Sequence, residues 1–193
     1  MLKPAAAPTT LAVRKYAVEP IPEPQPIPRS VEIARWVRTA VRLYVSDRAM
    51  DEVWRSVGRC VVCGRLEHAS KVERGGALVG RYSIDKRGQR FVVVEEALSA
   101  PAAPSSPVHI EIRVEDWLPI RARIARAGER RLLGWYHSHP GVGVEMSRVD
   151  RRTHERLFGT DWQVALVVDT WSSAHRFFIG AAARRATWVA HVE

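Results

Sequence analysis

The stretch from Gly134 to Asp150, GWYHSHPGVGVEMSRVD, constrains this chain more than any other. It reads HxH, then seven residues, then SxxD, so two imidazoles, a hydroxyl and a carboxylate fall within fourteen positions. Residues 131–136 lead in as a strand from the core. Along a strand, positions i and i+2 share a face, so His137 and His139 present their rings to one point. Pro140, Gly141 and Gly143 break the strand and let the chain turn back. Ser147 opens a helix, and Asp150, one turn in, reaches the same point. Ser147-x-x-Asp150 also fits a helix capping box, a role compatible with ligation. Two neutral imidazoles and a carboxylate form the protein half of a catalytic zinc site, with a fourth position for water.

These seventeen residues resemble the JAMM motif of the MPN+ zinc metalloproteases, at all four motif positions and in the Gly-Trp-Tyr lead-in and Pro-Gly exit. That family needs one more residue, a glutamate far upstream, just before a glycine-rich strand. Glu73-Arg74-Gly75-Gly76-Ala77-Leu78-Val79-Gly80 resembles that segment. Glu95 and Glu96 are rival carboxylates, but they end an apolar run and lack the glycines. The resemblance spans residues 40–182 and implies an MPN/JAB domain over residues 30–193. Its fold would be α/β (α+β), a curved mixed β-sheet flanked by helices.

The resemblance further implies one Zn2+ per chain, held by His137, His139 and Asp150. Glu73 would be the general base, and Ser147 would hydrogen-bond the developing oxyanion. Ser138, between the two ligands, should face away and is not a nucleophile. The implied reaction is hydrolysis of the isopeptide or peptide bond after the C-terminal glycine of ubiquitin or a ubiquitin-like protein. The Ala- and Arg-rich composition points to a GC-rich bacterial or archaeal source. Prokaryotic proteins that look like this are linked to deconjugation or precursor trimming of ubiquitin-like modifiers, including in antiphage systems, and to trimming of sulfur-carrier proteins. The expected partners are therefore a ubiquitin-like protein, its conjugates or precursor, and E1/E2-like pathway proteins.

Three other readings compete. A zinc deaminase expects HxE with a later PCxxC; here the motif is HxH, and Cys60-Val-Val-Cys63 lies upstream without the proline. A catalytically idle MPN scaffold would lack zinc ligands, and this chain keeps them all. A basic nucleic-acid-binding module is motivated by the net charge of +9 and the pI near 10.3. Its arginines are scattered, in pairs such as Arg121/Arg123, Arg130/Arg131, Arg151/Arg152 and Arg184/Arg185, so a solvated basic surface is the simpler account and no nucleic-acid partner is expected. Cys60 and Cys63, with His68 nearby, supply too few ligands for a structural zinc unless His109 or His154 joins them. Reduced, partly buried thiols are the expectation.

The rest of the chain organises around the motif. Pro20, Pro22, Pro24, Pro26 and Pro28 alternate with other residues, so residues 1–29 read as an extended tail or linker. A short element precedes a strand over residues 40–45. Ser46 then caps a helix over 47–58, with Met50, Val53, Trp54 and Val57 on its apolar face. Residues 59–72 form a loop. Strands follow over 76–84 and 91–96, joined by a turn at Asp85-Lys86-Arg87-Gly88. Residues 101–107 form a small-residue loop. Val108, Ile110, Ile112 and Val114 alternate as a half-buried strand. A helix over 115–127 turns Trp117, Leu118, Ile120, Ile124 and Ala125 inward. Strands over 162–168, 175–179 and 187–192 complete the domain. No apolar run is long enough to span a membrane and no signal-peptide core is present, so a soluble cytoplasmic protein is expected.

Overall fold

The computed structural model describes residues 40–58 and 71–193. The proline-alternating segment, the short element before residue 40 and the loop carrying Cys60, Cys63 and His68 lie outside the described residues. Three helices and ten strands are assigned among the described residues: β1 Arg42–Ser46, α1 Asp47–Ser56, β2 Gly75–Ile84, β3 Arg90–Ser99, β4 Ser105–Ser106, β5 His109–Ile110, α2 Val114–Ala125, β6 Arg131–His139, α3 Arg148–Leu157, β7 Val164–Asp169, β8 His175–Ile179, β9 Arg184–Arg185 and β10 Val189–Val192.

Eight strands form one mixed sheet in the order β10-β1-β3-β2-β6-β7-β8-β9. β1 runs parallel to both β10 and β3, and β6 parallel to β7; the other neighbours are antiparallel. The sheet curls into a half-barrel, and two bulges lie in its middle. β3 places two residues opposite one of β2 at Val79/Gly80, and β6 does the same at Leu78/Val79. A bulge adds an unpaired residue, bends the strand and strengthens its twist.

The β6 bulge decides which way the histidines point. Leu78 pairs with Gly134 and Val79 with Leu132, so Leu133 is the extra residue. Leu133 joins Tyr136 in the core beneath α1, whereas Trp135 joins the cluster that includes Phe158, at the end of α3. The bulge thus resets the in–out alternation just before the motif, and His137 and His139 follow Trp135 onto the face that carries α3.

Local chemistry accounts for the helices. Ser46 Oγ accepts from Ala49 N at 3.1 Å and donates to Glu95 O at 3.0 Å, starting α1 and tying it to β3. Ala49, Met50, Val53 and Trp54 then bury against Leu43, Val45, Val92, Val94, Leu166 and Val168. At the β2–β3 turn, Asp85 Oδ1 accepts from Arg87 N and Gln89 N, and Gly88 takes a φ of 76°.

Residues 108–114 depart from their alternation. Only His109–Ile110 is a strand, paired with the two residues Ser105–Ser106, and Val108 is 75% exposed. Val114 is the first residue of α2, because Asp116 Oδ2 accepts from Arg113 N at 2.9 Å and caps the helix start there. With so short a partner the alternation has no ladder to join, and Ile110 and Ile112 pack instead against the cluster around Ile120. On α2, Ile120 is buried and Trp117 and Ile124 half-buried as expected, but Leu118 is 58% exposed and Ala125 also faces solvent. Pro119 sits inside this helix, in its second turn rather than its first.

Close backbone contact around β6 yields a prediction. A Cβ at Gly134 would stand 1.7 Å from the Val164 carbonyl oxygen, between two fixed strands. Gly134→Ala should cost about 3 kcal/mol or more, at or beyond the upper end of overpacking effects. Urea unfolding measures it; an unchanged midpoint would show that β6 and β7 are not held this close.

Candidate metal centre

β6 ends at His139, and its neighbours fix what lies around that end. Gly75 of β2 pairs with His137, and His139 pairs with Asp169 of β7. α3 packs across the same face, with Ser147 as its N-cap. Ser147 Oγ accepts from Asp150 N at 3.1 Å, and Asp150 Oδ2 accepts from Ser147 N at 2.7 Å, so the capping box is complete. It holds the Asp150 carboxylate at the helix N-terminus, facing the strand end.

Three donor atoms converge there. His137 Nε2 and His139 Nε2 are 3.0 Å apart, and Asp150 Oδ2 lies 3.5 Å from the first and 3.7 Å from the second. Donors bound at roughly 2.0–2.2 Å around a tetrahedral zinc stand about 3.4 Å apart. The observed spacings straddle that value. Two imidazole lone pairs this close also require positive charge between them or a proton on one of them. The group therefore fits a single divalent ion, and its donor set suits zinc or a similar metal.

The surroundings favour ligand forms. Burial pushes the His137 imidazole below its usual pKa and so keeps it neutral. Its ring lies parallel to the Trp135 indole, with centroids 4.6 Å apart and planes at 15°. His139 Nδ1 is 2.8 Å from Gly143 O, which orients that ring and leaves Nε2 to face the group. For Asp150, burial alone would raise the pKa, but the two histidines and Ser147 hold the carboxyl well below the usual carboxylate range.

Glu73 arrives from the segment before β2. Its N–H donates to Ser106 O at 2.8 Å, and its Oε1 lies 3.9 Å from His139 Nε2. The side chain is buried, and that burial, opposed by His139 and reinforced by Asp150, pushes its pKa up to about 7. Ser138 connects the two segments. Its N–H donates to Arg74 O at 2.8 Å, and its Oγ accepts from Arg74 N at 2.9 Å. The glycines after Arg74 admit neighbouring backbone: a Cβ at Gly75 would meet Tyr136 O at 2.6 Å, and one at Gly76 would meet Leu98 O at 2.0 Å.

The structure thus brings Glu73, His137, His139, Ser147 and Asp150 to one end of the sheet. Glu95 and Glu96 are occupied elsewhere: Glu95 pairs with Arg81 and Arg130, and Glu96 with Arg48, Arg123 and Arg130. Part of the arginine charge is therefore neutralised within the fold. Asp169 carries a role that sequence reasoning missed. Its carboxylate accepts from Gly143 N at 2.7 Å, Trp171 N at 2.8 Å and Ser172 N at 3.2 Å, and so anchors the loop whose Gly143 carbonyl orients His139. Its one signal was an acidic residue ending the apolar run beside the motif strand. No helix among the described residues is long and apolar enough to cross a membrane.

Ser138→Ala removes the acceptor that ties Arg74 to the ligand strand. It should cost about 1–2 kcal/mol, as loss of a buried hydrogen-bond partner does. Chemical denaturation reports it, and a variant as stable as the parent would mean that this tie does not hold the glutamate segment.

The chain is similar to known proteins in sequence and in fold. Residues 62–187 match the family described as prokaryotic homologs of the JAB domain. Over 118 residues the chain is 29% identical to COP9 signalosome complex subunit 5 of Kluyveromyces lactis, covering 58% of this chain and 30% of that protein. The chain thus spans less than a third of that relative's length. The solution structure of a Desulfitobacterium hafniense protein is similar in fold, with a TM-score of 0.58 at 18% identity, covering 78% of this chain and 93% of that one. A JAB1/MPN domain protein of Archaeoglobus fulgidus aligns over 78% of this chain and 98% of its own, at 12% identity and a TM-score of 0.45. With the family matched across both the glutamate segment and the histidine motif, the chain belongs to the prokaryotic homologs of the JAB domain.

Proposed function

We propose that this protein is a zinc-dependent isopeptidase or peptidase that hydrolyses the bond after the C-terminal glycine of a ubiquitin-like protein, in a conjugate or a precursor. One observation carries this reading: a buried carboxylate, Glu73, stands 3.9 Å from a three-donor group that fits a single metal ion. The JAMM resemblance of Gly134–Asp150 supports the substrate class.

A zinc ion held by His137, His139 and Asp150 would supply Lewis acidity, polarising the scissile carbonyl and lowering the pKa of water to about 7. The protein's residues would do the rest. Glu73 accepts a proton from the attacking water as the new C–O bond forms, then delivers it to the leaving amine as the C–N bond breaks. Burial favours the protonated form of Glu73, which suits a group that takes up a proton and hands it on. Ser147 Oγ accepts from Asp150 N, so its own proton is available to the oxyanion. Such a donor is typically worth about 3 kcal/mol. No nucleophilic side chain is needed, since Ser138 is engaged with Arg74. An extended glycine-rich tail would dock by strand addition beside Glu73, next to the short hairpin of β4 and β5. The pathway partners would be the modifier, its conjugates or precursor, and E1/E2-like proteins.

The test pairs elemental analysis with cleavage of a ubiquitin-like protein fused through its C-terminal glycine. Wild type should carry about one zinc per chain and cleave, whereas Glu73→Ala should keep the zinc and lose at least ~100-fold in rate, as removal of a general base does. Absence of zinc from both proteins would overturn the reading. Undiminished cleavage by Glu73→Ala would overturn the base assignment.

A further inference from the structure

The two histidine ligands are oriented in different ways. His139 has the Gly143 carbonyl on its Nδ1, but His137 Nδ1 is buried with no hydrogen-bond partner among the described residues. A ligand histidine usually has its second nitrogen fixed by a carboxylate, carbonyl or water. His137 is instead held over its ring face, where the Trp135 indole stacks parallel to it.

The indole is in turn fixed by His154, a fully buried residue outside the donor group. His154 lies four residues after Asp150 on α3, so both project from one side of the helix. Trp135 Nε1–H donates to His154 Nδ1 at 3.2 Å, and His154 Nε2 is 3.0 Å from Gly180 O. An indole N–H only donates and a carbonyl only accepts. Both contacts therefore demand one neutral tautomer, with the proton on Nε2 and the lone pair on Nδ1. Burial lowers the pKa of His154 and favours that neutral form. Phe158 stacks against both rings and closes the far side.

We infer that His154 is a positioning residue for the metal ligand His137, acting through Trp135. Gly180 O sets the His154 tautomer, His154 sets the plane of the indole, and the indole packs on the imidazole whose Nδ1 has no hydrogen-bond partner among the described residues. α3 thus contributes twice to the centre: Asp150 as a ligand, and His154, one turn later, as the support of a ligand on the sheet. The inference rests on the metal centre proposed above, but not on the reaction or its substrate.

The test therefore reads metal binding rather than cleavage. Zn2+ affinity is measured by competition with a chelating dye, and the absorption spectrum of the Co2+-substituted protein reports ligand geometry. His154→Leu, which removes the acceptor, should weaken Zn2+ binding at least ~10-fold, within the range usual for outer-shell partners, and should alter the Co2+ spectrum. Trp135→Phe, which keeps a ring but loses the N–H, should shift both readouts in the same direction and covers the case in which His154→Leu does not fold. His154→Gln, whose amide can accept from the indole and donate to Gly180 O, should restore affinity to within ~3-fold. Zn2+ affinity and Co2+ spectrum unchanged in folded His154→Leu or Trp135→Phe would overturn the inference. Metal binding with no cleavage by wild type would refute only the peptidase reading. Wild type that binds neither ion would overturn both.

Discussion

The centre depends on how closely β6 lies between β2 and β7. Two glycines set that distance. A Cβ at Gly75 of β2 would enter the backbone of β6 at Tyr136, and one at Gly134 of β6 would enter the backbone of β7 at Val164. Backbone this close leaves little freedom of register, and register decides the chemistry. Gly75 opposite His137 puts Glu73 level with the histidine pair, and His139 opposite Asp169 puts the loop anchor level with its end. A slip of one residue would send the motif's side chains to the opposite face of the sheet.

A second constraint comes from the helix. α3 offers its N-terminal turn to the strand end, where carboxylates are favoured by the unpaired N–H groups and the helix dipole. Asp150 satisfies one of those groups, Ser147 N, with the same oxygen that faces both histidines. Cap and ligand are thus one atom. The carboxylate reaches the group already oriented, with its rotamer set by the cap and not by the ion.

Much of this was legible in the chain, and the failures have identifiable causes. The HxH spacing translates directly into a shared strand face, and SxxD into a helix cap, because both are local rules. Glu73 was legible only through the glycines beside it. The bulge at Leu133 was not legible: nothing local distinguishes Leu132 from Leu133, and the extra residue appears only when β6 is laid against β2. Residues 108–114 misled for a related reason. Alternation describes one strand, whereas a ladder needs a partner, and the capping carboxylate of Asp116 claimed Val114 for a helix. Asp169 went unassigned and His154 was weighed only as a distant zinc ligand, because their partners are a loop backbone and an indole, contacts that exist only in three dimensions.

The two acidic side chains at the centre show how one neighbourhood separates chemically similar groups. Asp150 is partly buried, but donors surround it: Ser147 N on one side and the histidines on the other hold it ionised. Glu73 is buried near the same histidines, at 3.9 Å from the closer one, and lacks a comparable set of donors among the described residues. Burial dominates there, and the adjacent Asp150 charge adds to it, so the carboxyl rises to about 7. Where two titratable groups are pushed apart in this way, their roles divide with them. The group that stays ionised suits a permanent ligand, and the one near neutrality suits a proton carrier. In the proposed hydrolysis that division needs no motion of either side chain. It follows from one carboxylate sitting on a helix N-terminus and the other emerging from the segment before β2, whose own N–H is already given to Ser106 O.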